Sequence, residues 1–147
     1  MLTIYCARPI SGCSFSDVFA YYDALVPQLS EMGYRVLWPM IGKDHLRTRE
    51  GPAPALGYEG PLGDFAIPRR DRWMIRQSNI VYVDLSGTTE VSMGCLHELA
   101  WGRLLERHMV LAMEAGNPHE HIFVLEAADV RYESADEALD YLSCLPT

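Results

Sequence analysis

The sequence predicts an α/β three-layer sandwich around a five-stranded parallel sheet of flavodoxin-like order 2-1-3-4-5. Three observations carry this expectation. Short apolar runs alternate with amphipathic segments along the chain. The clearest run, Ile80 to Leu85, is apolar on both faces, as a central strand covered by helices must be. The length of 147 residues suits one domain, 1–147, with one hydrophobic core. Alternation of this kind implies right-handed parallel crossovers. No internal repeat is visible.

Taken in order, Leu2 to Cys6 is a short apolar strand ended by the turn-prone Arg8-Pro9-Ile10-Ser11-Gly12. From Ser16 to Met32, apolar residues recur at three- and four-residue spacing (Val18, Tyr21, Tyr22, Leu25, Leu29, Met32), an amphipathic helix stopped by Gly33. Tyr34 to Trp38 is a second strand, cut by Pro39. The stretch 39–63 is rich in Gly and Pro and has no period, which marks a lid or binding loop. Asp64 to Ser78 reads as a helix with Pro68 in or near its first turn. After the Ile80–Leu85 strand, Ser86-Gly87-Thr88-Thr89 turns the chain into a helix from about Ser92 to Glu106. Met109 to Met113 is the next strand. Asn117-Pro118-His119-Glu120 reads as the start of a helix running to about Ala128. Val130 to Tyr132 is a short edge strand, and Ser134-x-x-Glu137 is a capping box that opens a last helix.

Composition excludes several classes. A formal charge of -8 does not suit a nucleic-acid polymer or an anionic membrane surface, because phosphate neutralisation needs a basic face. It leaves room for a single phosphate held locally. The four cysteines are scattered, with no C-x-x-C pair and no Cys/His ligand spacing, so neither a metal site nor a disulfide framework is expected. No apolar stretch approaches the roughly 20 residues that span a bilayer, and no signal peptide is visible. A cytoplasmic protein is expected. Dinucleotide, P-loop and nucleophile-elbow glycine motifs are all missing.

In sheets of this order, ligands bind outside the carboxyl ends of the strands near the switch in strand order. That rule selects residues 5–12, 84–94, 113–119 and the 39–63 loop. Just beyond the second of these stretches, Glu98 sits mid-helix in an apolar sequence with Gly94 and Gly102 four residues to either side. Glycine inside a helix is unfavourable by about 1 kcal/mol against alanine, so two of them flanking one glutamate need a reason. Either they leave the helix groove open beside the carboxylate for a ring-shaped ligand, or Glu98 is buried against an arginine and the glycines serve tight packing. Asp71 is a second carboxylate of interest, or else a surface acid among arginines. Asp84, ending the third strand, is a candidate ligand contact, or a turn acid bonded to backbone ahead of Gly87. Tyr5 is core, or points its phenol toward the switch crevice.

These residues resemble a family. Ile4-Tyr5 followed by Ala7-Arg8-Pro9-Ile10-Ser11-Gly12, an aspartate ahead of W-M-I-R-Q-S-N-I-V-Y-V-D-L, and S-M-G-C-L-H-E-L-A-W-G-R-L-L-E-R resemble the nucleoside 2-deoxyribosyltransferases, a family that includes nucleoside 5'-monophosphate N-glycosidases. The likeness covers nearly the whole chain except the 39–63 loop. It implies Glu98 as the nucleophile at the anomeric carbon, Asp71 as general acid and base toward the nucleobase, and Tyr5 as the phenol that holds Glu98. Ser11 and Gly12 would lie in the sugar-binding turn, and Gly94 beside the open groove. Ser92 would sit near the sugar's 5' end, where transferases often have aspartate and several hydrolases have serine. Asn117 would reach a 5'-hydroxyl, as some relatives do across a subunit boundary, or cap the helix read above; His119 is a further contact in that stretch. The resemblance implies nucleosides and free nucleobases as small-molecule partners, no cofactor, and a homo-oligomer with sites shared between subunits. Three activities stay open: 2-deoxyribosyl transfer between bases, hydrolysis of a 5'-monophosphate, and nucleotide binding without catalysis.

Overall fold

The computed structural model describes residues 1–146. Its elements are β1 (Thr3–Ala7), α1 (Phe15–Glu31), β2 (Arg35–Leu37), α2 (Ala66–Gln77), β3 (Ile80–Asp84), α3 (Met93–Leu104), β4 (His108–Ala112), α4 (Ile122–Ala127), β5 (Val130–Tyr132) and α5 (Ala135–Ser143). All strand pairs are parallel, in the order β2-β1-β3-β4-β5. The expected fold class and strand order are observed.

Alternation along the strands divides the core in two. Ile4, Cys6, Ile80, Tyr82, Val110 and Ala112 face α1 and α5. Tyr5, Ala7, Val81, Val83, Met109 and Leu111 face α2, α3 and α4. This parity puts the Tyr5 phenol on the α3 side of the sheet. The register pairs Tyr5 with Val81 across the β1–β3 junction, the point where strand order reverses.

Local chemistry sets the helix ends. Ser14, rather than a residue further on, caps α1 by accepting the Asp17 amide at 3.0 Å. Gly33, at φ 95°, ends that helix as expected. The helix predicted from Asp64 starts at Ala66 instead, because the Asp64 carboxylate accepts the amides of Gly57 and Tyr58 at 2.8 Å each and closes a loop turn. The predicted helix start at Asn117 is wrong. Residues 117–120 form a tight turn, Glu120 N bonding Asn117 O at 2.9 Å, and α4 begins at Ile122 under a His121 cap. The Asn117 side chain turns inward, its Nδ2 donating to the Leu85 carbonyl at 2.8 Å, and so is not free to cap.

The two glycines of α3 separate in role. A Cβ on Gly102 would lie 2.5 Å from the Met109 sulfur and 3.3 Å from Val81 Cγ2, so this glycine lets the helix close onto the sheet. Gly94 has no such neighbour, only Ser92 Oγ at 4.0 Å. The groove-opening reading therefore fits Gly94 and fails for Gly102. Gly102→Ala should destabilise the fold by about 1–2 kcal/mol through overpacking, whereas Gly94→Ala should be neutral or slightly stabilising; chemical denaturation of the two variants checks this opposition of sign.

Candidate active site

A cavity of about 670 Å³ opens beyond the carboxyl ends of β1 and β3. That volume lies in the range of small-molecule sites. Arg8, Ile10, Ser11 and Gly12 of the first turn form one wall; Met40, Lys43, Leu46 and Tyr58 of the long loop form the roof. Asp71 enters from α2, and Ser92, Gly94 and Glu98 enter from α3.

Glu98 is 6% exposed and its Oε1 accepts a 2.6 Å hydrogen bond from the Tyr5 hydroxyl. Burial pushes its carboxyl up to about 8, the Asp71 charge adds to this, and the Tyr5 bond and the Lys43 charge oppose it. Asp71 is 7% exposed, so it is no surface acid. Burial raises it to about 6 against the lowering effect of Lys43 and Arg70. Arg70 stands 3.6 Å from Asp71 Oδ1, too far for a hydrogen bond. Its guanidinium donates instead to the carbonyls of Pro39 and Ile41, pinning the start of the loop. Asp71 Oδ1 is buried with no hydrogen-bond partner among the described residues. Near neutrality the two raised carboxyls therefore carry one proton between the pair's two sites, one carboxyl protonated and the other ionised. Burial also pushes the Tyr5 phenol well above its ordinary value, with the Glu98 charge second, so it stays a donor.

Three expected contacts lie behind the wall rather than in it. Asp84 is 1% exposed. Its carboxylate accepts Tyr21 Oη at 2.8 Å, Ser86 N at 3.0 Å and Arg8 Nη1 at 3.3 Å. It is thus the turn acid of the alternative reading, and it also holds Arg8, which stacks on the Tyr21 ring 4.2 Å away and faces the cavity. His119 Nε2 accepts the Ser92 amide at 2.8 Å, and Asn117 Oδ1 accepts the His119 amide at 3.0 Å. Burial lowers the His119 pKa, which favours the neutral ring this bond needs. Asn117 and His119 therefore position the start of α3, and the Asn117 side chain is spent on partners within its own chain.

Within the loop, Tyr58 faces the cavity, whereas His45, Arg47 and Arg49 do not line it. Arg47 is tied to Asp23 at 2.8 Å and Asp44 at 2.9 Å. The residue missed is Lys43, 4% exposed and facing both carboxyls. One signal was available: it is the chain's only lysine among 12 basic residues. Among the described residues, no group of three or more His, Cys, Asp or Glu could hold a metal ion.

The fold and cavity define an α/β protein with a switch-point crevice lined by paired buried carboxyls. Solved structures share this architecture. A 2-deoxyribosyltransferase from Bacillus psychrosaccharolyticus is 13% identical, with coverage of 98% of this chain and 92% of that one and a TM-score of 0.66. A 2-deoxyribosyltransferase from Leishmania mexicana is 19% identical, covering 97% of each chain, with a TM-score of 0.64. A CMP N-glycosidase from Clostridium botulinum is 14% identical, covering 95% and 96%, with a TM-score of 0.59. At these identities the likeness establishes a shared fold. No protein-family model and no curated protein sequence matches the chain.

The raised carboxyls make a stability prediction that is independent of any reaction. Both bind a proton more readily in the folded chain than in the unfolded one, so their favourable contribution is complete below about pH 4 and is lost as pH rises through about 6 and then 8. Glu98→Gln removes the larger shift. Thermal unfolding at pH 5 and pH 9 should show a smaller loss of Tm across that interval in the variant than in the parent chain.

Proposed function

We propose that this chain belongs to the nucleoside 2-deoxyribosyltransferase family and moves 2-deoxyribose between nucleobases through a covalent glycosyl-Glu98 intermediate. The observation that carries this reading is the Glu98 carboxylate, buried in a ligand-sized cavity, held by Tyr5 at 2.6 Å and enclosed with a second raised carboxyl. The shared fold of the two deoxyribosyltransferase structures supports it.

In the first half-reaction Glu98 attacks C1' and forms an ester as the C1'–N bond breaks, the electron pair leaving with the base. Asp71 gives its proton to a base nitrogen. In the second half, an incoming base attacks C1', Asp71 takes the proton that base sheds, and Glu98 leaves as carboxylate. Deoxyribose is a good donor because loss of the electron-withdrawing 2'-hydroxyl stabilises the developing cation. Apolar cavity residues such as Ile10, Phe15, Met40 and Leu46 disfavour water as the competing acceptor.

A second reading, hydrolysis of a nucleoside 5'-monophosphate, is favoured by one specific observation. Arg8, Ser11, Gly12 and Ser92 meet in the same cavity at the amino end of α3, a set suited to a phosphate. The fold shared with a CMP N-glycosidase agrees with it.

Deoxyinosine incubated with isotopically labelled hypoxanthine should acquire label with ping-pong kinetics. Brisk hydrolysis without exchange, or a preference for the 5'-monophosphate, would transfer the conclusion to the second reading. Activity should follow a bell with limbs near pH 6 and 8, since one carboxyl of the pair must be protonated and the other ionised. Glu98→Ala should lose roughly three orders of magnitude in turnover or more; a small loss would leave only a binding module. The family reading also implies a homo-oligomer. Leu104, Ile122 and Phe123, each at least 73% exposed, support this by leaving an apolar face on α3 and α4. Light scattering on the purified chain should give a mass that is a multiple of 16.6 kDa, and a monomer at micromolar concentration would exclude it.

A further inference from the structure

Lys43 lies at the end of a well-fixed segment. Its amide bonds the Met40 carbonyl at 3.0 Å, across a turn that needs Gly42 at φ 74°. Its own carbonyl accepts the Leu46 amide at 2.9 Å, and Arg70 ties the carbonyls of Pro39 and Ile41. The backbone under this side chain is therefore held in place before any ligand arrives.

Lys43 is 4% exposed and faces the cavity, and its ammonium makes no hydrogen bond or ion pair among the described residues. An ammonium carries three donors, and leaving them unmet in an enclosed site is costly. Burial lowers its pKa, while the Asp71 and Glu98 charges favour the protonated form; the Asp71 influence is the larger of the two. Arg70, the neighbour of Asp71 in α2, holds the Pro39 and Ile41 carbonyls just ahead of Lys43, which sets Lys43 on the Asp71 side of the cavity. On the glycosyl-transfer reading, Glu98 marks the sugar and Asp71 marks the base, so Lys43 sits where the base must lie.

We propose that Lys43 reads the nucleobase: its ammonium donates to an exocyclic oxo group, so the site takes oxo-bearing bases in preference to adenine. The inference rests on the proposed glycosyl transfer. As the C1'–N bond breaks, its electron pair enters the base, and in an oxo base the charge spreads onto the carbonyl oxygen. A fixed cation there is worth more in the transition state than in the ground state. Adenine offers an amino group at that position, a donor facing a donor, which leaves the ammonium unmet. Lysine suits the task because it is a compact point charge on a flexible stem, whereas arginine's fork needs a planar partner.

The test compares cleavage of deoxyinosine, deoxyadenosine and purine 2'-deoxyriboside, whose base carries no exocyclic group, by the parent chain and by Lys43→Met. The parent should favour deoxyinosine by roughly 10- to 100-fold in kcat/KM, and the variant should level the three by losing activity on deoxyinosine. An equal loss on all three substrates would reduce Lys43 to an electrostatic support for the carboxyls and overturn the proposal. So would a preference that survives the substitution. Calorimetric binding of free hypoxanthine and free purine to the parent chain needs no variant: tighter binding of hypoxanthine supports the proposal, and equal binding overturns it. Failure of the parent to cleave any of these nucleosides or their 5'-monophosphates would overturn the glycosyl-transfer reading itself, an outcome distinct from cleavage without discrimination.

Discussion

A carboxyl group enclosed between a sheet and a helix is unstable as an anion unless something donates to it, and here that donor is the Tyr5 hydroxyl at 2.6 Å from Glu98. Much of the site is arranged around this bond. It requires the phenol to leave β1 on the α3 side, which strand parity decides. It also requires α3 to lie close enough to the sheet, which Gly102 permits by having no Cβ against Met109 and Val81. The same bond opposes the burial that raises Glu98, and so holds the carboxyl within reach of ionisation near neutrality.

The second carboxyl and the lysine complete a charge arrangement that no pair would give alone. The Asp71 charge adds to the rise that burial imposes on Glu98, and Lys43 works against the rise in both. An enclosure with two acids and one base can hold an anion on one acid and a proton on the other without a large net charge. The wall behind it is polar and fully occupied. Asp84 secures Arg8 and the turn after β3, while Asn117 and His119 secure the first residue of α3. Asp84, Asn117 and His119 support the cavity's shape from behind its lining.

Most of the fold was legible in the chain because its elements are locally consistent: strands apolar on both faces, helices with a single apolar stripe, and Gly33 ending α1. The errors fall where a polar side chain has a choice of partner. Asp64 closes a loop turn instead of starting α2, and Asn117 turns inward instead of capping α4. At the site, spacing marked Glu98 and the resemblance of the motifs marked Asp71 and Tyr5 beside it, and the structure brings the three together. Lys43 was not, because it lies in an aperiodic loop where spacing carries no information. Its solitary status among the basic residues was the sole hint.

By itself the sequence determined the layers, the strand order and the end of the sheet at which the cavity opens, because periodicity and turn chemistry act over a few residues and leave few topologies. Tertiary structure alone decided which of the two α3 glycines faces the cavity, which polar residues face inward, and that a lysine from the loop lines the same cavity as carboxyls from α2 and α3. Those outcomes depend on contacts between residues far apart in the chain, where packing and desolvation, rather than local propensity, select the arrangement.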